Sequence, residues 1–114
     1  MRPVARIKMK IQAPANAFQE AYNLEAAKVV KSAMNGTPLI LVGGMRRLAH
    51  MEEVLAHGHA DMLAMSRPFI REPLLVRHFR EGKTTSAACT SCNRCFAAMF
   101  NSMPVRCYHK GLPL

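Results

Sequence analysis

Tryptophan is absent from the 114 residues, and two tyrosines and five phenylalanines are the whole aromatic complement. Acid is scarce as well, with 7 Asp and Glu against 16 Lys and Arg, for a net charge of +9. A basic chain invites a nucleic-acid reading. Here the basic residues are scattered, few aromatics interleave with them, and no nucleic-acid motif is present, so no nucleic-acid partner is expected. The charge reads better as a solvated surface, or as a surface cut from a larger and more balanced protein. No apolar run approaches the roughly 20 residues that cross a bilayer, so no membrane span is expected. The N-terminus disperses Arg2, Arg6, Lys8 and Lys10 among Val4, Ile7 and Met9 and lacks the compact apolar core of a signal peptide. A cytoplasmic location follows as the default. Cysteine is missing until position 89, and then four fall at 89, 92, 95 and 107. In a reducing compartment such clustering points to metal or redox chemistry rather than to structural disulfides.

What is present is a globular composition, half hydrophobic and a fifth charged, of a length that suits one domain. Residues 1 to 19 show no sustained period beyond a short extended piece at 6–11. From Glu20 to Met34 the pattern is helical, with Leu24, Ala27, Val30 and Met34 on one stripe and Asn23 in position to cap. Asn35-Gly36-Thr37-Pro38 ends it. Pro38-Leu39-Ile40-Leu41-Val42-Gly43-Gly44-Met45-Arg46 follows, and Ala60-Asp61-Met62-Leu63-Ala64-Met65-Ser66-Arg67-Pro68 answers it some twenty residues later. Short apolar runs bounded by turn signals suit strands buried on both faces of a parallel sheet. Leu48, Met51, Val54 and Leu55 put a helix between them, stopped at Gly58. Pro68-Phe69-Ile70 reads as a loop, a further helix starts near Pro73 and closes at Gly82, and Lys83 to Ala88 reads as a polar linker. Two parallel strands cannot bury both faces alone, so the remainder of a barrel or further copies must complete the sheet.

The strand-helix-strand unit brings small residues and arginines to one carboxyl edge, where α/β folds bind ligands. Gly43 and Gly44 let backbone N–H groups approach an anion without a Cβ in the way. The helix beginning near Arg47 adds its partial positive end, and Ser66 and Arg67 supply a hydroxyl and a two-pronged donor. A Gly-Gly after a strand is more often only a tight turn. Two such loops at this spacing favour phosphate over that bland reading.

The same residues, together with Gly58-His59 before the second strand and Phe69-Ile70-Arg71-Glu72-Pro73 after it, resemble the C-terminal barrel segment of the old yellow enzyme family. These are the FMN-dependent NADH:flavin oxidoreductases and their 2,4-dienoyl-CoA reductase relatives. The resemblance runs on to Cys89-Thr90-Ser91-Cys92-Asn93-Arg94-Cys95-Phe96 and covers roughly residues 20 to 107. It implies an α/β fold that is the C-terminal portion of a (β/α)8 TIM barrel: two parallel strands, seventh and eighth, with flanking helices, plus a cysteine-bearing tail. Residues 1–84 would be the barrel quarter and 85–114 the tail. FMN is the implied cofactor, its phosphate held by Gly43, Gly44, Ser66 and Arg67. Ser66 stands where the family commonly has Gly. A whole barrel takes about 250 residues, and the family's hydride-side and substrate-orienting residues lie in earlier strands. No catalytic residue is therefore assigned to this chain. His57 and His59, which flank Gly58, read as solvated or capping.

Cys89, Cys92, Cys95 and Cys107 are spaced C-x2-C-x2-C-x11-C, close enough for thiolates to converge on one metal centre. The dienoyl-CoA reductase branch holds a [4Fe-4S] cluster with one residue more in the middle interval. An iron–sulfur cluster, zinc, and free or partly paired thiols all stay open. Phe96, Met99, Phe100 and Met103 read as a packing face. The favoured activity is NAD(P)H-dependent hydride transfer through FMN to a small-molecule acceptor, with this chain inactive alone. The alternative is a noncatalytic metal-binding or assembly module derived from such a barrel.

Overall fold

The computed structural model of the chain describes residues 18–110, so the extended piece expected at 6–11 lies outside the described residues. Helix α1 spans Leu24–Ala33, strand β1 Ile40–Val42, helix α2 Leu48–Ala56 and strand β2 Met62–Ala64. Helices α3 (Arg67–Arg71), α4 (Leu75–Arg80) and α5 (Arg94–Phe100) follow. The strands pair in parallel, with Ile40 opposite Met62, Leu41 opposite Leu63 and Val42 opposite Ala64. This is the expected α/β unit, with α2 as the crossover.

Helix α1 begins four residues later than its periodicity predicts. Ala21 sits in the left-handed region at φ 53°, which a helix cannot pass through, so residues 20–23 form a turn. Asn23 precedes the first helical residue but its side chain caps nothing there. Its Nδ2 instead donates to the carbonyl of Val42 at 2.8 Å, tying the turn to the tip of β1. At the opposite end of the sheet, Asp61 Oδ2 accepts from the Leu39 N–H at 2.7 Å and from Lys31 Nζ. That one carboxylate fastens the starts of both strands and α1 together.

The core lies on one side of the sheet. Leu41, Met45, Met51, Val54 and Ala60 are buried with Ala21 and Ala27, and Leu24, Leu39, Leu63, Met65 and Phe79 pack against them. The burial of each large aliphatic side chain contributes about 1.5–3 kcal/mol. The other side is bare: Ile40, Val42 and Met62 are about half exposed. One face is thus left uncovered, as expected for two parallel strands that cannot bury both faces alone. Side chains alternate across a strand, so the Leu41 and Leu63 side meets the buried cluster with Met51 and Val54 of α2 while the Ile40, Val42 and Met62 side stays half exposed.

Residues 68–70, expected as a loop, lie in α3. Pro68 suits its first turn because the missing N–H would have no intrahelical partner there. The amides of Ile70 and Glu72 donate back to Ser66 and Pro68. Helix α4 starts at Leu75, its fully buried anchor, and closes at Gly82, whose φ is 66°.

The stretch expected as a linker is tied down. Leu48 N–H donates to the Thr85 carbonyl at 2.9 Å and Ala87 N–H to that of Arg46 at 3.0 Å, with an antiparallel bridge between Arg47 and Ser86. Ala88 N–H donates to Glu72 Oε2 at 2.6 Å. These bonds hold the cysteine segment over the carboxyl edge of the sheet.

Candidate functional site

The loops after β1 and β2 meet in one cavity of about 100 Å³, lined among others by Gly43, Gly44, Ser66, Arg67 and Cys89. All four residues expected at the phosphate edge thus border the same space, and Arg46 and Ser91 border it with them. The glycines are demanded by packing as much as by any ligand. A Cβ on Gly43, at φ 133°, would come within 2.6 Å of Asn23 Nδ2, and one on Gly44, at φ 70°, within 2.9 Å of the Tyr22 ring.

The start of α2 is not the open positive end that the sequence predicts. Glu20 Oε1 accepts from the N–H of Arg46 at 3.2 Å and from that of Arg47 at 2.7 Å, while Oε2 accepts from Arg47 Nε at 2.6 Å. Thr85 takes the amide of Leu48. Two of the orphan donors of this helix end, the Arg47 and Leu48 amides, are therefore taken by the chain itself. Burial pushes the Glu20 carboxyl upward, but hydrogen bonds from Arg47, backbone and side chain, and its charge outweigh it and hold the group below its ordinary value.

The positive character of the cavity comes instead from two guanidinium groups. Arg46 Nη2 donates to Ser91 Oγ at 2.7 Å, its guanidinium lies 3.5 Å from the centre of the Phe18 ring, and Arg67 Nη1 donates to Asn93 Oδ1. Among the described residues neither guanidinium is ion-paired to a carboxylate. Burial lowers the pKa of Arg46; the Cys89 and Glu20 charges oppose this and the neighbouring charge of Arg67 adds to it, leaving the group below its ordinary value. Two like charges brought together in a half-buried place favour an anion between them. Such an arrangement fits the phosphate of FMN, with Arg46 and Arg67 as charge, Gly43 and Gly44 as a close-approach wall, and the Ser66 hydroxyl as a further donor.

The cysteines are all free thiols, Cys89 and Cys95 half-buried and Cys92 and Cys107 exposed. All four line a second, smaller cavity of about 20 Å³ together with Arg67, Arg71 and Tyr108. That volume holds about one water molecule. Among the described residues no three His, Cys, Asp or Glu side chains stand close enough to hold a metal ion. Burial pushes the Cys92 thiol up, but the Arg94 amide, the Thr90 hydroxyl and the Arg94 charge together bring it below its usual value. Arg71 Nη1 is buried with no partner among the described residues.

Several expectations change here. Phe96, Met99 and Phe100 do not form a covered packing face: all are more than half exposed, and Phe96 packs edge-on against Phe100 at 4.9 Å. Ala98 is instead the buried residue of α5. His57 Nδ1 lies 2.8 Å from the carbonyl of Glu53 and its ring stacks on that of His59, in keeping with a helix-end role. Glu20, Tyr22, Ser91 and Asn93 were not singled out by sequence, because each acts on a partner 26 to 45 residues away or, for Tyr22, through packing alone. The left-handed tendency of Asn was the one available signal.

The model of the NADH:flavin oxidoreductase / NADH oxidase family matches residues 1–86. Among curated proteins, the chain is 32% identical over 87 residues to the 4,4'-dithiodibutanoate disulfide reductase of Rhodococcus erythropolis, covering 76% of this chain and 21% of that protein. It is 30% identical over 93 residues to the NADH oxidase of Thermoanaerobacter brockii, covering 79% of this chain and 14% of the relative. An NADH-dependent flavin oxidoreductase, iliE, of Neonectria sp. (strain DH2) is 39% identical over 56 residues, which are 49% of this chain and 7% of that protein. The chain spans about a fifth or less of the length of these relatives. No solved structure matches it significantly. No helix among the described residues is long and apolar enough to cross a membrane. With three quarters of its length matched, at the strand tips whose arginines share one cavity, the chain belongs to the NADH:flavin oxidoreductase / NADH oxidase family.

Proposed function

We propose that this chain supplies the FMN-phosphate end of an NAD(P)H-dependent flavin oxidoreductase of the ene-reductase type. The observation that carries the reading is the convergence of Arg46 and Arg67, from the tips of adjacent parallel strands, on one cavity without carboxylate partners among the described residues. Residues 1–84 are read as the last quarter of a (β/α)8 barrel and residues 85–114 as its cysteine-bearing tail. The bare Ile40, Val42 and Met62 face is then the side that the remainder of the barrel covers, or failing that a second copy.

When bound, FMN would carry a hydride from the nicotinamide to a small-molecule acceptor, the protein binding and orienting it. In this chain Arg67 and Arg46 hold the phosphate oxygens, the hydroxyl of Ser66 donates to them, and Gly43 and Gly44 admit the group closely. Burial of Arg46 strengthens the attraction by excluding water. The hydride-side and substrate-orienting residues are implied by the resemblance to lie in earlier strands, and on that ground the 114 residues alone are read as not turning over substrate. The proposed setting is the cytoplasm.

The test is titration of the chain with FMN and with riboflavin, which lacks the phosphate, followed by flavin fluorescence. FMN is expected to bind at least ten-fold more tightly than riboflavin, and Arg67→Ala to abolish the difference. Equal binding of both flavins defeats the reading, and steady NADH oxidation by the purified chain with added FMN defeats the claim of inactivity. A second reading rests on the four cysteines that line one small cavity: a noncatalytic module holding zinc or an iron–sulfur cluster after rearrangement of the thiols. Metal analysis separates the two, since colourless protein with stoichiometric zinc supports the module.

A further inference from the structure

Two residues of the cysteine run, Ser91 and Asn93, are aimed at the arginines. We propose that Ser91 and Asn93 are positioning residues for the anion site, so that the cysteine run and the phosphate edge form one unit. The inference rests on the reading of Arg46 and Arg67 as phosphate ligands. Both residues flank Cys92, and both adopt the left-handed backbone, at φ 55° and 57°. For a serine that conformation is uncommon, and it turns each side chain back toward the sheet. Ser91 Oγ accepts from Arg46 Nη2 across 45 residues of sequence, and Asn93 Oδ1 accepts from Arg67 Nη1 across 26. One residue of the run therefore serves each arginine.

The chemistry of the two acceptors matters as much as their place. A hydroxyl and an amide are neutral, so they fix the plane of each guanidinium while leaving its charge for a ligand. A carboxylate in either position would hold the arginine more strongly and cancel the charge an incoming phosphate needs. A guanidinium already held also spares the ligand the entropy of ordering a long side chain, worth about five-fold in affinity for each arginine. Cys89 and Ser91 border the same cavity as Arg46 and Arg67, which places the first cysteine of the run within the anion site itself.

The experiment titrates FMN and riboflavin into the full 114-residue chain and three variants, with a thermal melt of each. Asn93→Gly keeps the left-handed backbone and removes the acceptor; Ser91→Ala removes the other; Asn93→Asp keeps the size and adds a charge. FMN affinity is expected to fall about five-fold in each of the first two and more than ten-fold in Asn93→Asp, with weak riboflavin binding unchanged. Ser91→Asn, which tolerates the left-handed backbone and keeps a neutral acceptor, is expected to hold affinity closer to the parent than Ser91→Ala does. A purely structural anchor predicts the reverse for Asn93→Asp, because an ion pair with Arg67 would raise the melting temperature without singling out FMN. FMN affinity within two-fold of the parent in Asn93→Gly, Ser91→Ala and Asn93→Asp overturns the inference while leaving the phosphate site standing. A parent chain that fails to distinguish FMN from riboflavin overturns both.

Discussion

Glu20 offers the sharpest test of how this chain is held together. Its carboxylate accepts two backbone amides at the start of α2 and the side chain of Arg47. Loss of a helix cap costs about 1 kcal/mol. The pair with Arg47 adds at most about 1 kcal/mol, since Arg47 is 64% exposed and solvent screens it. Glu20→Ala should therefore destabilise by about 1–2 kcal/mol, which for a unit of this size lowers the melting temperature by about 5–15 °C. Glu20→Gln keeps one acceptor and should lose about half as much. The folded-state pKa of Glu20 is depressed. Its contribution is thus fully present above the ordinary glutamate value of about 4.3 and is lost as pH falls through the lower, folded value. The gap between parent and Glu20→Ala, followed by circular dichroism, should be largest at pH 6–7 and shrink below pH 4. FMN affinity should hold or rise in the variant, because the carboxylate facing Arg46 is gone. A melting temperature within 1 °C of the parent at pH 7, or an undiminished gap at pH 3, refutes the reasoning.

Four further outcomes are expected. Gly44→Ala sets a Cβ 2.9 Å from the Tyr22 ring and 3.0 Å from backbone at φ 70°; it should melt about 5–15 °C lower, a cost of about 1–3 kcal/mol. Asp61→Asn loses the charge that holds Leu39 N–H and Lys31; the Leu39 amide first and then Lys31 depress this carboxyl, so the variant should melt lower at pH 7 and match the parent once pH falls below the depressed value. Inorganic phosphate should slow alkylation of Cys89, which borders the anion cavity, and leave Cys107 unchanged; equal rates at Cys89 with and without phosphate, read by peptide mass, would remove the thiol from the site. Light scattering should show association that rises with concentration, and Ile40→Thr with Val42→Thr should reduce it by thinning the bare face of the sheet.

The βαβ unit was legible because its signals are local. Apolar runs ended by Gly43 and Ser66 marked both strand tips, a 3.6-residue period placed α2 to within a residue of its end, and Gly82 marked the close of α4. Helix α3 was missed because five residues opening on Arg67-Pro68 carry too short a stripe to show a period. The apolar stripe of α5 was visible, but its exposure was not, since periodicity shows that a face is apolar and not what lies against it.

The sequence by itself determined that two arginines and two small-residue turns would arrive at the same sheet edge, because parallel strands joined by one crossover must point the same way. Only the tertiary structure decided which positive groups remain there for a ligand. Glu20 takes the Arg46 and Arg47 amides that lead into α2 and Thr85 takes that of Leu48, while Ser91 and Asn93 hold the arginines without neutralising them. Those partners lie 26 to 45 residues apart in sequence, where neither propensity nor spacing acts, and only the folded path of the chain brings them together.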